Sequence, residues 1–332
     1  MITRRLAGLT VAALAVLVAC TTEEASNPGP TLTSTTSTTS TTTTSTTTVP
    51  ATSTTASTTS TAPPTTLPAG PAPVAVPLFI GGDGGGWLPL GAWQVDRWLD
   101  DDADPDEGQI PPSIEPGTPM AVSNLDGEAT ASTGDLAEAC FDGRVGPSID
   151  RAVAAPEPPG FGYGAVALTT PSWPLRPRPV AVTSGAPGVY DEIGIAAFDG
   201  EPVDPTLGAV EQLVVTDLDG DGDDEALVAF EYVQPSAGPG VPGAPGDLSS
   251  ILLVDTLTRN SSTVLRSVVD QDLEPDGFPL IERFRVIDVA DYNGDGRMEV
   301  AVHAWYYEGA SVVIYEYDGA QLTAALATGC GA

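Results

Sequence analysis

The chain has 332 residues and a lopsided charge, with 45 acidic against 12 basic residues and a formal net of -33. All of the basic residues are Arg, and Lys is absent. This balance speaks against nucleic acid or an anionic membrane face as a partner bound through a basic patch, and it makes multivalent cations the natural partners.

The chain opens with Met1-Ile-Thr-Arg-Arg5, a positive stretch, followed by an apolar run over 6–19 interrupted by Gly8 and Thr10. As a helix this run spans about 21 Å, short of the roughly 30 Å hydrocarbon core, so 1–19 reads as a signal peptide and not as a membrane span. Leu17-Val-Ala-Cys20 resembles the bacterial lipobox, in which the Cys thiol is diacylated and the peptide is cut just before it. The resemblance implies lipidation at Cys20. Two acyl chains give stable anchoring, so the expected location is extracytoplasmic, at the cell surface or wall, lipid-anchored to the cell membrane.

Residues 20–73 hold the lipidated Cys and a tether built almost wholly of Thr, Ser, Pro and Ala. Such a composition cannot bury enough apolar surface to offset its ordering entropy, and disorder is expected. Fully extended, the tether reaches up to roughly 170 Å, a spacer through or beyond a cell wall. Residues 74–332 remain for a folded body, enough for one large β domain or two small ones.

Strand-like runs recur at 74–80, 87–98, 164–168, 180–183, 194–198, 251–254, 263–268 and 311–317, separated by Gly and Pro clusters. No stretch shows a sustained 3.6-residue apolar period, so the fold class is all-β. Trp87, Trp93 and Trp98 are expected in the core and not on a sugar-stacking face. Among the acidic clusters, 100–107 lacks glycine at tight positions and reads as a solvated loop. Residues 124–128 and 270–277 are weak candidates for decayed ion loops, the latter carrying Pro275.

Two segments carry a sharper pattern. Asp217-Leu-Asp219-Gly-Asp221-Gly-Asp223-Asp-Glu225 is followed, with Asp291 in place of Asp217, by Asp291-Tyr-Asn293-Gly-Asp295-Gly-Arg297-Met-Glu299. In each, oxygen-bearing side chains fall at positions 1, 3, 5 and 9, with Gly at positions 4 and 6. Calcium takes six to eight hard oxygen ligands, and alternate side chains of a tightly wrapped loop can converge on one ion. Position 7, Asp223 or Arg297, is expected to offer its backbone carbonyl, so an Arg there does no harm. An EF-hand is rejected, because position 12 is Val228 or Val302 and the flanks are short β-rich runs.

The segments 215–228 and 287–300 resemble the calcium-binding FG-GAP or VCBS repeats of integrin α-subunit propellers and many bacterial surface proteins. Glu at position 9, where Asp is common in that family, is a departure. The resemblance covers about 200–320 and implies calcium held by positions 1, 3, 5 and 9 of each loop. It also implies a β-propeller-like fold, partial or irregular, with a β-sandwich as the alternative. The Pro/Gly-rich stretch 235–246 reads as an insertion in a hairpin, which lengthens the repeat.

With Cys20 consumed by lipid, Cys140 and Cys330 remain in an oxidising compartment, and a Cys140–Cys330 disulfide is expected, two separate buried thiols being the alternative. The chain's one histidine, His303, sits in the run after the second loop, and no nucleophile elbow, zinc-protease motif or phosphate loop is present. The expected function is therefore non-enzymatic binding or adhesion toward a surface protein or polysaccharide. An extracytoplasmic hydrolase with structural calcium, or an envelope scaffold, is the alternative. Oligomeric state has no signature in the sequence.

Overall fold

A computed structural model describes residues 76–81, 85–94, 96–100, 114–140, 143–149, 163–185, 188–234, 242–273 and 277–331. All of these belong to one compact unit, Leu67–Ala332. The signal peptide, Cys20, the tether, the acidic segment 101–107 and residues 235–241 lie outside the described residues.

The chain is all-β, and its described strands form three antiparallel sheets. The first is a curled seven-stranded sheet in the order β3-β2-β1-β7-β4-β5-β6. Its strands are β1 (Val76–Gly81), β2 (Trp87–Gln94), β3 (Arg97–Asp100), β4 (Pro119–Asn124), β5 (Gly127–Glu138), β6 (Val145–Ile149) and β7 (Val166–Thr169). The curl brings its β6 edge back to the start of β2. Gly86 bridges Ser148 there, and the Gly86 N–H donates to the Glu138 carbonyl at 3.0 Å.

The second sheet has the order β12-β11-β10-β9-β8. It comprises β8 (Ala181–Thr183), β9 (Ala209–Thr216), β10 (Glu225–Tyr232), β11 (Leu248–Asp255) and β12 (Ser261–Val268). The third sheet is the meander β13 (Arg283–Ala290), β14 (Glu299–Tyr306), β15 (Gly309–Tyr317) and β16 (Leu322–Cys330). Strands β9 to β12 and β13 to β16 are two meanders of the same plan, each opening with a strand, one of the acidic loops, and a second strand. This arrangement is compatible with a partial propeller and with a sandwich.

Side-chain alternation along β14 explains how the sheets stack, since successive residues of a strand point to opposite faces. Val300, Val302 and Ala304 enter one core with Val214, Leu227 and Ile251 of the second sheet. Ala301 and Trp305 enter another with Leu88, Leu90 and Leu168 of the curled sheet. The third sheet is thus the middle layer, and β14 reads as a nearly continuous apolar run because both of its faces are covered. Cys140 and Cys330 form the expected disulfide, with Cα atoms 5.7 Å apart, tying the end of β5's sheet to the end of β16. Trp87 is buried, while Trp93 and Trp98 meet edge-to-face at 4.9 Å and pack against the core.

Two expectations need correction. The run 87–98 is two strands, β2 and β3, paired with Gln94 opposite Arg97. The run 194–198 is helical, lying in and just after α1 (Val189–Ala197). Tyr190, Ile193 and Ala197 recur at helical spacing and pack on the outer face of the second sheet, around Phe230. Gly194 lies under the Phe230 ring, where an added Cβ would stand 2.2 Å from a ring carbon, so the helix approaches the sheet there only without a side chain.

Candidate metal centre

Both acidic segments are hairpin loops at the same end of their sheets: 217–224 joins β9 to β10, and 291–298 joins β13 to β14. Position 9 is in each case the first residue of the returning strand, Glu225 opposite Thr216 and Glu299 opposite Ala290. The two loops fold on the same five side-chain bonds. In the first, Asp217 accepts from the Gly220 N–H at 2.6 Å and the Gly222 N–H at 3.1 Å. Asp219 accepts from the Asp221 N–H at 3.2 Å, Asp221 from the Asp223 N–H at 2.8 Å, and Glu225 from the Leu218 N–H at 2.8 Å.

In the second, Asp291 accepts from Gly294 at 2.6 Å and Gly296 at 3.0 Å. Asn293 accepts from Asp295 at 2.9 Å, Asp295 from Arg297 at 2.7 Å, and Glu299 from Tyr292 at 2.7 Å. Short polar side chains bond backbone N–H groups two or three residues on, which winds the chain into a coil around its own carboxylates.

The residues differ in cover. Asp291, Asn293, Glu225 and Glu299 are buried, Asp217 and Asp219 are half-buried, and Asp221, Asp223, Asp295 and Arg297 are exposed. Asp217, Asp219 and Asp221 each bring a carboxylate oxygen within 4.8 Å of the others. The donor set is oxygen throughout, so it fits a hard cation such as calcium and not a thiolate- or imidazole-seeking metal. The Arg297 side chain turns away toward the Tyr317 carbonyl, at 3.4 Å.

Burial and mutual repulsion mark both loops. Burial pushes Glu225 up to about 7, against the bond from Leu218, and Asp219, Asp221 and Asp217 push it further. Burial likewise pushes Asp291 up to about 6, opposed by the N–H groups of Gly294 and Gly296 and reinforced by Asp295. Glu299 is held well above the usual carboxylate range by burial, with Asp291, Asp295 and Glu316 adding to it. Tyr317 rises to about 12, through burial and then the charges of Glu225, Asp219 and Asp221. Carboxylates crowded in this way are relieved by binding either protons or a cation.

A proline-rich strap over 171–180 crosses both loops. Trp173 donates its indole N–H to the Asp291 carbonyl at 2.8 Å, and Leu175 accepts from the Asp291 N–H at 2.7 Å. Arg176 pairs with the buried Asp288 at 2.6 Å and donates to the Asn124 carbonyl. The Tyr292 hydroxyl donates to the other Asp288 oxygen at 2.8 Å, so this buried pair props the second loop. Arg178 reaches the Asp217 and Leu218 carbonyls of the first loop and the Gly296 carbonyl of the second. From the other side, Glu316 accepts from the Asn293 amide at 3.5 Å, a contact that places a further carboxylate beside the second loop.

None of these supporting residues was singled out from the sequence. The available signal was a Trp and two Arg residues set among four prolines, in a chain with few cations. Of the weaker acidic clusters, 124–128 is the tight β4–β5 hairpin, where Asn124 accepts from Asp126 and Gly127 and pairs across the turn with Gly127. Asp270 caps its own turn through the Asp272 N–H at 2.8 Å, and residues 274–276 lie outside the described residues.

No known protein family, curated protein or solved structure matches the chain. The reading of the loops therefore stands on their own geometry.

Proposed function

We propose that this chain is an extracytoplasmic, lipid-anchored protein of the FG-GAP/VCBS type, in which two calcium ions stiffen a β domain that binds a surface protein or polysaccharide without catalysis. The observation that carries this reading is the repetition of one five-bond loop in two equivalent hairpins, with oxygen donors at matching positions. Asp217, Asp219, Asp221 and Glu225 would hold one ion, and Asp291, Asn293, Asp295 and Glu299 the other. Bound calcium would neutralise carboxylates that otherwise repel one another and would fix the strands on either side.

Support for a binding role over an enzymatic one comes from the histidine and from a polar cleft beside the second sheet. His303 is fully buried, stacked on Trp305 at 4.9 Å and met edge-on by Tyr163 at 5.8 Å. A cleft of about 330 Å³ opens near Glu211, Tyr232 and Gln234. Its buried Glu231 is committed to Arg283, at 2.5 and 3.0 Å, and to Arg285 at 3.4 Å.

The test is thermal unfolding of the full chain in millimolar calcium and then in chelator. Calcium at about a hundredfold excess over Kd is expected to add about 2.7 kcal/mol for each loop it fills, with Asp217→Ala and Asp291→Ala each removing part of the shift. An unchanged melting temperature overturns the metal reading. The anchor is tested separately, since Cys20→Ser is expected to move the protein from the membrane fraction to the soluble one.

A further inference from the structure

We infer that the strap over 173–178 couples the two loops, so that an ion in either one raises the affinity of the other. The inference rests on the metal reading above and adds to it an interaction between the sites.

One guanidinium spans both loops. Arg178 donates from Nε to the Asp217 carbonyl, from Nη2 to the Leu218 carbonyl at 2.7 Å, and from Nη1 to the Gly296 carbonyl at 2.8 Å. Those acceptors are positions 1 and 2 of the first loop and position 6 of the second. The rigid planar fork of an Arg side chain holds such acceptors in a fixed relation, which a Lys point charge cannot do. The Leu218 carbonyl also accepts from the Met298 N–H at 2.8 Å, so the loops touch directly beside the guanidinium.

The same strap is pinned to the second loop at its other end. Trp173 and Leu175 take the carbonyl and the N–H of Asp291, the residue at position 1. Pro174 and Pro177 limit the freedom of the chain between these anchor points. An ion that orders one loop therefore orders the strap, and with it the bonds that the strap makes to the other loop. The second ion meets a loop whose ordering cost has already been met, which is positive cooperativity without a large change of shape.

Calcium titration calorimetry on the full chain and its variants tests this. Disabling the first loop with Asp217→Asn is expected to weaken calcium binding at the second by about tenfold, within the usual range of coupling between sites. Because linkage is reciprocal, Asp291→Asn must weaken the first loop by the same factor, whereas mere local damage need not match. In an Arg178→Gln background both loops still bind, and the mutual effect falls to about threefold or less. Arg178→Lys keeps a cation under the loops and is expected to lose the coupling as well, which serves if the Gln variant does not fold. Two ions binding to the wild type with no mutual effect, or with unequal factors, overturns the coupling and leaves the metal reading intact. No binding heat in the wild type at millimolar calcium overturns both.

Discussion

The indole of Trp173 occupies the space in which a β-carbon on Gly294 would stand, 2.8 Å from the nearest ring atom. Gly294 is position 4 of the second loop, with φ 79°. The same indole donates to the Asp291 carbonyl, so ring and loop are fitted to each other at two points.

This fit has a measurable consequence. An L side chain in left-handed backbone costs about 1–2 kcal/mol. At Gly296, φ 89°, nothing lies within 4 Å of the added atom, so Gly296→Ala is expected to lose that backbone cost alone. Gly294→Ala must also displace the indole and is expected to lose about 2–4 kcal/mol. Urea unfolding of both variants in chelator compares them. Equal losses would mean that Trp173 does not press on the loop.

The Arg176–Asp288 pair makes a second test. Asp288 is fully buried and accepts from Arg176 at 2.6 Å, from the Tyr292 hydroxyl at 2.8 Å and from the Val289 N–H at 2.9 Å. Removing one partner of a buried ion pair leaves an uncompensated charge and costs about 3–5 kcal/mol. Arg176→Met, which strands the fully buried carboxylate, is expected to lose stability in that range, Asp288→Asn, which strands a part-exposed guanidinium, to lose less, and the double variant to lose clearly less than their sum. Additive losses in urea unfolding would show that the two charges do not support each other.

The parts of this fold that were legible in the sequence are those in which local pattern and tertiary role agree. Strands β9, β10, β13 and β14 carry apolar runs bounded by Asp and Gly, and the loops between them repeat a spacing that is itself a geometry. Strand β5 has no such signal. Gly127–Glu138 alternates half-buried and exposed side chains, nearly all small or polar, and is held by pairing to β4 and β6 rather than by its own apolar face. Helix α1 was missed because nine residues give only two turns of period, and Gly194 and two Ala residues dilute it. The strap was invisible for another reason: Trp173 and Arg178 bond backbone carbonyls, acceptors that every residue carries and no sequence pattern marks.

The disulfide joins residues 190 apart in sequence, so it removes much of the freedom of the unfolded chain. In the loop-closure account a bridge over so long a loop contributes about 5 kcal/mol. It also ties down the C-terminal end of β16, whose sole strand partner among the described residues is β15. Replacing Cys140 and Cys330 together by Ser is expected to lower the melting temperature and to free the amides of β16 for early hydrogen exchange. An unchanged melting temperature, or exchange spread evenly over the three sheets, would count against this role.

The response to pH follows from the carboxylates that the fold holds protonated. Unfolded, Asp and Glu ionise at about 4, whereas in the fold burial lifts Asp291 to about 6 and Glu225 to about 7, and raises Glu299 well above the usual carboxylate range. Above pH 4 the unfolded chain therefore releases protons that the folded chain retains, and the metal-free protein loses stability as the pH rises to about 7 and beyond. Calcium takes the place of those protons, so the loss is expected to vanish in millimolar calcium, and binding at pH 6 is expected to release protons into the buffer. Melting curves from pH 4.5 to 8, in chelator and in calcium, read the first effect. Calorimetry in buffers of different ionisation enthalpy reads the second. General repulsion among the surface acids has the same sign, and Glu225→Gln with Glu299→Gln separates the two, because the slope from those two side chains disappears when they can no longer ionise, while that from the surface acids stays. A chelator curve that rises with pH would show that the loop carboxylates are already ionised in the folded protein.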